Sequence, residues 1–278
     1  MQRPLLIVDG DNLAQRAYHS TPKTVLGADG SPINAVVGFI SMLSRIWQEE
    51  QPRGVFIAWD TLGVDTYRNK LWPPYQGGRI FEREIVVQLD LLPTVCQAFG
   101  FGVGKSAGFE ADDLMASAAL AESALGGQAL LLTTDKDSYQ LVSDQITVIA
   151  PQRGTRELAR IGPMQVVEIF GVLPQQVPDL KALMGDSSDK IPGIKGIGPK
   201  AAASLLLKYG TLDHVIADWE PAQAELALMF REVVRMRPEV AVELPTASPD
   251  WCGGAKALRV LGANALADRI EALSQPSS

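Results

Sequence analysis

The sequence predicts an α/β fold in which a mostly parallel central sheet is flanked by helices. Three short apolar runs have the length and composition of strands buried on both faces: 4–9 (PLLIVD), 54–59 (GVFIAW) and 129–134 (ALLLTT). Segments 34–49 and 85–99 lie between them and carry apolar residues at helical spacing. Strands that alternate with helices are typical of a parallel sheet.

Further elements follow along the chain. A helix begins at Gly108, another begins within 138–141, and 145–150 pairs with 157–161 as a hairpin around a turn at 152–155. A short helix is predicted at 161–170, and longer ones at 200–209 and 264–273, before a disordered tail at 275–278.

Composition is that of an ordinary globular protein. With 278 residues and 46% hydrophobic content, the chain can bury a core for one large domain or two smaller ones. No apolar run reaches the roughly 18 residues that span a bilayer, and no signal-peptide pattern opens the chain, so we expect a cytoplasmic protein without membrane contact. Two cysteines, Cys96 and Cys252, are expected to be reduced structural thiols.

The charge pattern points to one local anion-binding segment. The formal net charge of −7 argues against a protein that coats nucleic acid nonspecifically. Residues 190–212 nevertheless contain four lysines and no acidic residue. A solvated basic face is the ordinary explanation for such a run.

Carboxylates recur where the predicted strands end. Asp9, Asp60 and Asp135 each close a strand, and parallel strands bring their carboxyl ends to one edge of the sheet. The stretch GFEADD adds Glu110, Asp112 and Asp113 at a helix start. Helix capping alone would explain three acids at a helix start. It would not explain why this helix start faces the same edge of the sheet as the three aspartates at the strand ends.

Crowded carboxylates repel one another unless cations lie between them. Mg²⁺ and Mn²⁺ prefer carboxylate oxygens, and a pair of such ions can hydrolyse a phosphodiester. Asp137 joins the same centre, and Asp186 and Asp189 are spaced to share one face of a helical turn.

A glycine-rich hairpin follows the last acidic motif. Two helices joined by a turn with Gly193, Gly196 and Gly198 would let backbone N–H groups approach DNA phosphates. Lys195 and Lys200 supply positive charge there.

Together these motifs resemble the 5′ nuclease family, the flap-endonuclease-like domain of bacterial DNA polymerase I and phage 5′ exonucleases. The resemblance runs from Leu5 to about Leu244 and rests on six motifs in order: LLIVDGDNLAQRAYH, FIAWD, GFEADD, TTDKDSYQL, GDSSDKIPG and IKGIGPKAA. It implies a PIN-like 5′ nuclease fold with a C-terminal helix-hairpin-helix region. It also implies two Mg²⁺ or Mn²⁺ ions, and K⁺ at the glycine turn.

The resemblance assigns roles to individual residues. The first ion would be held by Asp9, Asp60, Glu110, Asp112 and Asp113, and the second by Asp135, Asp137, Asp186 and Asp189. DNA would contact Arg68, Lys190, Gly193, Lys195, Gly196, Gly198 and Lys200.

The segment 61–84 corresponds to the family's helical arch, through which single-stranded 5′ ends pass. Tyr75 and Arg79 match the family pattern near the scissile phosphate, whereas Gln76 replaces its lysine. Glutamine adds no charge, and Arg68 and Lys70 are candidates to compensate. Tyr75 either stacks on a base or packs on the bend formed by Pro73 and Pro74.

We therefore predict a structure-specific 5′-3′ exonuclease or flap endonuclease that acts on DNA in replication and repair as a monomer. Its predicted domains are a nuclease domain (1–178), a helix-hairpin-helix region (179–245) and a C-terminal extension (246–278). Whether the chain stands alone or belongs to a longer polymerase, and whether it prefers DNA or RNA flaps, stays open at this point.

Three other protein classes match part of the pattern. GDSSD after an initial DGD also resembles haloacid-dehalogenase-type phosphatases, but Leu13 stands where those enzymes carry Thr or Val. A non-catalytic DNA-junction-binding protein would have no use for intact carboxylates. PIN-type ribonucleases lack the helix-hairpin-helix region.

Overall fold

The computed structural model of the chain describes residues 3–77, 82–152 and 157–274. These residues form a six-stranded sheet in the order β3-β2-β1-β4-β5-β6, in which only β6 runs antiparallel to its neighbour. The predicted fold class is confirmed. The strands are β1 (Leu5–Asp9), β2 (Gly54–Trp59), β3 (Gly102–Lys105), β4 (Ala129–Leu132), β5 (Ile146–Pro151) and β6 (Leu158–Ile161).

Helices occupy most of the remaining described residues, and they include every predicted helix. Residues 138–141 belong to a 3₁₀ helix, Lys136–Leu141, and two more 3₁₀ turns lie at Pro174–Gln176 and Ala272–Ser274. The α-helices are α1 (Gly10–Ser20), α2 (Asn34–Glu50), α3 (Tyr67–Leu71), α4 (Arg83–Ala98), α5 (Ala111–Ala124), α6 (Pro163–Phe170), α7 (Val177–Met184), α8 (Pro199–Tyr209), α9 (Leu212–Val215), α10 (Pro221–Val234), α11 (Trp251–Val260) and α12 (Asn264–Glu271).

The central strands separate two hydrophobic cores. Because side chains alternate along a strand, Leu5 and Ile7 of β1 enter one core while Leu6 and Val8 enter the other. The first core is covered by α5 and by the helices α7, α8 and α10. The second is covered by α1, α2 and α4, together with the last two helices, α11 and α12. The predicted C-terminal extension therefore packs directly on the domain that contains the sheet.

The segment after α7 differs from the prediction. Asp186 and Asp189 do not share a helical turn, because α7 ends at Gly185, which has a φ of +83°. Asp186 and Ile191 instead exchange two backbone hydrogen bonds of 2.8 Å across a tight turn. Gly193 packs directly against the backbone of Gly185. A Cβ built on Gly193 would lie 2.3 Å from Gly185 N. Glycine is required because the two backbones touch.

Some predictions fall outside the described residues, namely Arg79, most of the turn at 152–155 and the tail at 275–278. No helix in the described part of the chain is long and apolar enough to cross a membrane.

Candidate active site

The carboxyl edge of the parallel strands holds a cluster of acidic side chains. Asp9 ends β1 and caps α1: its Oδ1 accepts a hydrogen bond from Asn12 N (3.0 Å), and its Oδ2 accepts one from Thr133 Oγ1 (2.8 Å). Asp60 follows β2, and its Oδ1 accepts from Ala111 N at the start of α5 (2.7 Å). The strand ends and the helix start thus meet, as the parallel topology predicts.

These side chains surround a cavity of about 240 Å³. None of the described residues that line it carries a positive charge. The cavity is called the catalytic cavity, and it is lined by Asp9, Asp11, Asn12, Gln15, Asp60, Gln76, Glu110, Ala111, Asp112 and Asp135.

Burial and mutual repulsion disfavour the ionised form of several acids in the catalytic cavity and so raise their pKa values. Burial raises the pKa of Asp9 to about 7, and the charges of Asp60 and Asp135 add to the rise. Burial likewise raises the pKa of Asp11 to about 8 and that of Glu110 to about 7. The pKa of Asp112 lies well above its usual range because the group is buried and faces Asp135 and Asp9. Ionised together, these groups require external cations.

Glu110 is positioned by the segment that precedes α4. Tyr75 donates a hydrogen bond from its hydroxyl to Glu110 Oε2 (3.0 Å), and Thr66 Oγ1 lies 3.3 Å from Oε1. Gln76 donates from Nε2 to the Tyr75 oxygen (2.8 Å). The Tyr75 ring is only 5% exposed, so it is not available to stack on a base. Its role here is to hold Glu110.

The structure differs from the prediction for Asp113 and Arg68. Asp113 is fully buried and points away from the cavity, with its oxygens bonded to Arg68 Nη1 (2.7 Å) and Nη2 (2.9 Å). Arg237 N donates to the same carboxylate (2.8 Å). Arg68 is 2% exposed and also donates to Val233 O (3.0 Å), so it cannot reach DNA. This ion pair fixes the start of α5 instead.

A second acidic cluster lies beside the first. Carboxylate oxygens of Asp137, Asp186 and Asp189 lie within 4.8 Å of one another. These three residues are called the triad. Lys181 of α7 pairs with Asp137 and, at 2.6 Å, with Asp186. Burial raises the pKa of Asp186, but hydrogen bonds from Lys181 and Ser188 outweigh it and hold that pKa below its usual range.

The donor sets fit divalent cations. Both clusters offer carboxylate oxygens, the ligands that Mg²⁺ and Mn²⁺ prefer, and three oxygens of the triad converge closely enough to share one ion. In the catalytic cavity, a cation would remove the repulsion that raises the carboxyl pKa values.

The predicted DNA-contacting residues divide into two groups. Lys190, Lys195, Gly196, Gly198 and Lys200 are exposed, whereas Gly193 is buried against Gly185 and cannot touch DNA. Gly196 has a φ of +87°, which glycine adopts without strain, while Gly198 caps α8 in an extended conformation.

Two residues of the site were absent from the predicted set. Asp11 lines the catalytic cavity and accepts a hydrogen bond from Asp60 N (2.8 Å). Its signal was present in the motif DGD, where it shares the strand end with Asp9. Lys181 gave a weaker signal, a single basic residue within the apolar helix α7.

Comparisons with known proteins agree with this geometry. The family model of the 5′-3′ exonuclease N-terminal resolvase-like domain matches residues 4–171, and that of the 5′-3′ exonuclease C-terminal SAM fold matches residues 172–251. DNA polymerase I of Mycobacterium leprae (strain TN) is 38% identical over 239 residues, which cover 84% of this chain and 26% of that protein. The chain thus spans about a quarter of the length of such relatives.

Two further proteins match along most of their length. The 5′-3′ exonuclease of Aquifex aeolicus (strain VF5) is 31% identical over 253 residues, covering 87% of this chain and 84% of that protein. The bacteriophage T5 flap endonuclease, solved in a pseudo-enzyme-product complex with DNA and metal ions, superposes with a TM-score of 0.65 at 23% identity, covering 96% of each chain. The haloacid-dehalogenase-type alternative is therefore wrong, and the chain belongs to the 5′-3′ exonuclease family of nucleases.

Proposed function

We propose that this protein is a structure-specific 5′ nuclease that hydrolyses DNA phosphodiester bonds at 5′ flaps and single-stranded 5′ ends. The observation that carries the proposal is the catalytic cavity, whose acids converge from the ends of β1 and β2, from the residues just beyond β4 and from the start of α5. Processing of 5′ ends during replication and repair is the corresponding cellular role.

Two divalent ions, Mg²⁺ or Mn²⁺, would activate water and stabilise the leaving oxygen when bound. Asp9, Asp60, Glu110 and Asp112 would hold the first ion, and Asp135 with the triad would hold the second. Asn12 and Thr133 orient Asp9, while Tyr75 and Thr66 orient Glu110. The ion pair of Arg68 with Asp113 keeps α5 in register with the strand ends.

The substrate is proposed to enter along a groove next to the catalytic cavity. A second cavity, of about 370 Å³, shares Asp60, Gln76 and Glu110 with it and extends along residues 60–77. Lys195 in an exposed loop and Lys200 in the first turn of α8 offer cationic contacts for the DNA duplex beyond the cleavage point. Arg79 is proposed to contact the scissile phosphate.

Other parts of the prediction also remain proposals. They are the monomeric state, the cytoplasmic location, the K⁺ site near Gly193–Gly198 and the domain boundaries at 178 and 245.

Cleavage of a 5′-labelled flap duplex tests the proposed function. We expect the parent protein to cut near the branch with Mg²⁺ or Mn²⁺, to be inactive in EDTA, and to lose cleavage in Asp135→Asn. Parallel assays on an RNA flap and on blunt duplex would define substrate preference. Tight flap binding without cleavage in either metal would contradict the proposal that the protein is a nuclease, and it would favour the non-catalytic junction-binding protein.

A further inference from the structure

Two residues in left-handed backbone conformations meet beside the catalytic cavity. Among the described residues, only Gln51, Gln76 and Lys190 combine a side chain with a positive φ, and the last two have φ values of +47° and +58°. Their segments are in contact, since Gln76 N lies 3.4 Å from the carbonyl oxygen of Asp189. Such conformations are costly for residues other than glycine, and they cluster where surrounding structure enforces them for function.

Contacts on both sides enforce this arrangement. Trp72 donates from Nε1 to the Lys190 carbonyl oxygen (2.9 Å). On the other segment, Gln76 is held by its hydrogen bond to Tyr75. The backbone of Lys190 is therefore fixed against the segment that positions Glu110, while its side chain is exposed.

The Lys190 ammonium lies beside the segment that contains Gln76. A Cβ built on Gly77 would be 3.7 Å from Lys190 Nζ, and Gly77 directly follows Gln76, which lines the cavity. A Cβ at position 77 would be in ordinary van der Waals contact with this ammonium, so the Lys190 side chain reaches the segment of Gln76.

Two other described cations of the site are already engaged. Arg68 is buried in its ion pair with Asp113, and Lys181 is paired within the triad. Lys190, in contrast, forms no ion pair with a carboxylate of the described residues. Its charge is available to a substrate anion.

We propose that Lys190 contacts the scissile phosphate and supplies the positive charge that Gln76 lacks. This inference rests on the proposed function. The phosphate gains negative charge as its bond breaks, and a cation held in place beforehand stabilises that charge without reorganisation. The fixed backbone of Lys190 provides this preorganisation, although the residue belongs to the turn after α7 and not to the segment of Tyr75.

Lys190→Asn is the direct test, because asparagine tolerates the left-handed conformation and carries no charge. Lys256→Asn, at an exposed lysine of α11, removes the same charge at a residue that lines neither the catalytic cavity nor the groove beside it. Single-turnover cleavage of a 5′ flap is measured at saturating Mg²⁺ over a range of enzyme concentrations. We expect the maximal rate of Lys190→Asn to fall by about 10- to 100-fold, with a nearly unchanged half-saturating concentration. Lys256→Asn should match the parent.

A relocated charge provides the second arm. The double variant Gln76→Lys/Lys190→Asn places an ammonium on the neighbouring segment instead, at a residue that lines the catalytic cavity, and we expect it to recover much of the lost rate. The proposal is overturned if Lys190→Asn cleaves at the parental maximal rate, if it loses only affinity, or if the double variant shows no recovery. An inactive parent would instead refute the proposed function itself.

Discussion

The catalytic cavity and the triad are built from the same residue type but differ in charge balance. The described lining of the catalytic cavity contains no basic side chain, and the pKa values of Asp9, Glu110 and Asp112 are raised. The triad encloses the ammonium of Lys181, and the pKa of Asp186 is lowered. One cluster therefore depends on cations from solution, whereas the protein itself partly neutralises the other.

The largest expected effect comes from removing a carboxylate of the catalytic cavity. Asp112→Asn should lower single-turnover flap cleavage by about 100- to 1000-fold, because a half-buried carboxylate that faces the other acids is lost from the centre. Asp90→Asn, on the exposed face of α4, removes one negative charge elsewhere and should cleave like the parent. Similar rates for the two variants would show that the cavity is not the catalytic centre.

Arg68→Met should destabilise the protein more than any exposed substitution. It leaves the buried Asp113 carboxylate without its guanidinium partner, which typically costs about 3–5 kcal/mol. Urea unfolding measures the loss in free energy, and Arg259→Met, which removes a solvent-accessible arginine with two carboxylate partners, should lose much less stability. Equal losses would mean that the Arg68–Asp113 pair does not anchor α5.

Lys181→Met makes the triad resemble the catalytic cavity. Without the ammonium, the partly buried acids repel one another, and we expect a loss of about 1–3 kcal/mol in EDTA. Mn²⁺ should restore more stability to this variant than to the parent, since the ion replaces the lost charge. A thermal shift with Mn²⁺ that is the same in both proteins would argue against competition between Lys181 and a metal ion.

A pH dependence of the metal-free protein is also expected. Asp9, Asp11 and Glu110 have folded-state pKa values of about 7 or 8, above those of the unfolded chain. The folded state thus binds more protons between about pH 4 and pH 8, and its stability should fall as pH rises through that window. Unfolding in EDTA at several pH values measures the slope. Mg²⁺ should flatten it, and a stability that rises with pH throughout would contradict the burial of these acids.

Much of the fold follows from local sequence signals. The strands β1, β2 and β4 were predicted to within two residues because each is a continuous apolar run that ends near an aspartate. The strand β3 was missed, since its sequence GVGK contains two glycines and is only half-buried. The helix α1 was missed because it begins directly at the end of β1, with no intervening loop to mark it.

The site was harder to predict than the fold, for a geometric reason. Asp112 and Asp113 are adjacent and look equivalent in the sequence, but successive residues of a helix point about 100° apart. Only the placement of α5 decides that Asp112 faces the cavity and that Asp113 faces Arg68. In the same way, no local pattern shows that Lys181 pairs with two carboxylates of the triad, or that Lys190 lies beside the segment of Gln76.

Mn²⁺ binding to the DNA-free protein tests the contrast between the two clusters most directly. Calorimetric titrations would compare the parent, Asp112→Asn and Asp90→Asn at the same pH. The account predicts a binding event that is strongly weakened in Asp112→Asn and unchanged in Asp90→Asn, because the catalytic cavity recruits its cation from solution. Parental Mn²⁺ affinity and stoichiometry in Asp112→Asn would contradict it.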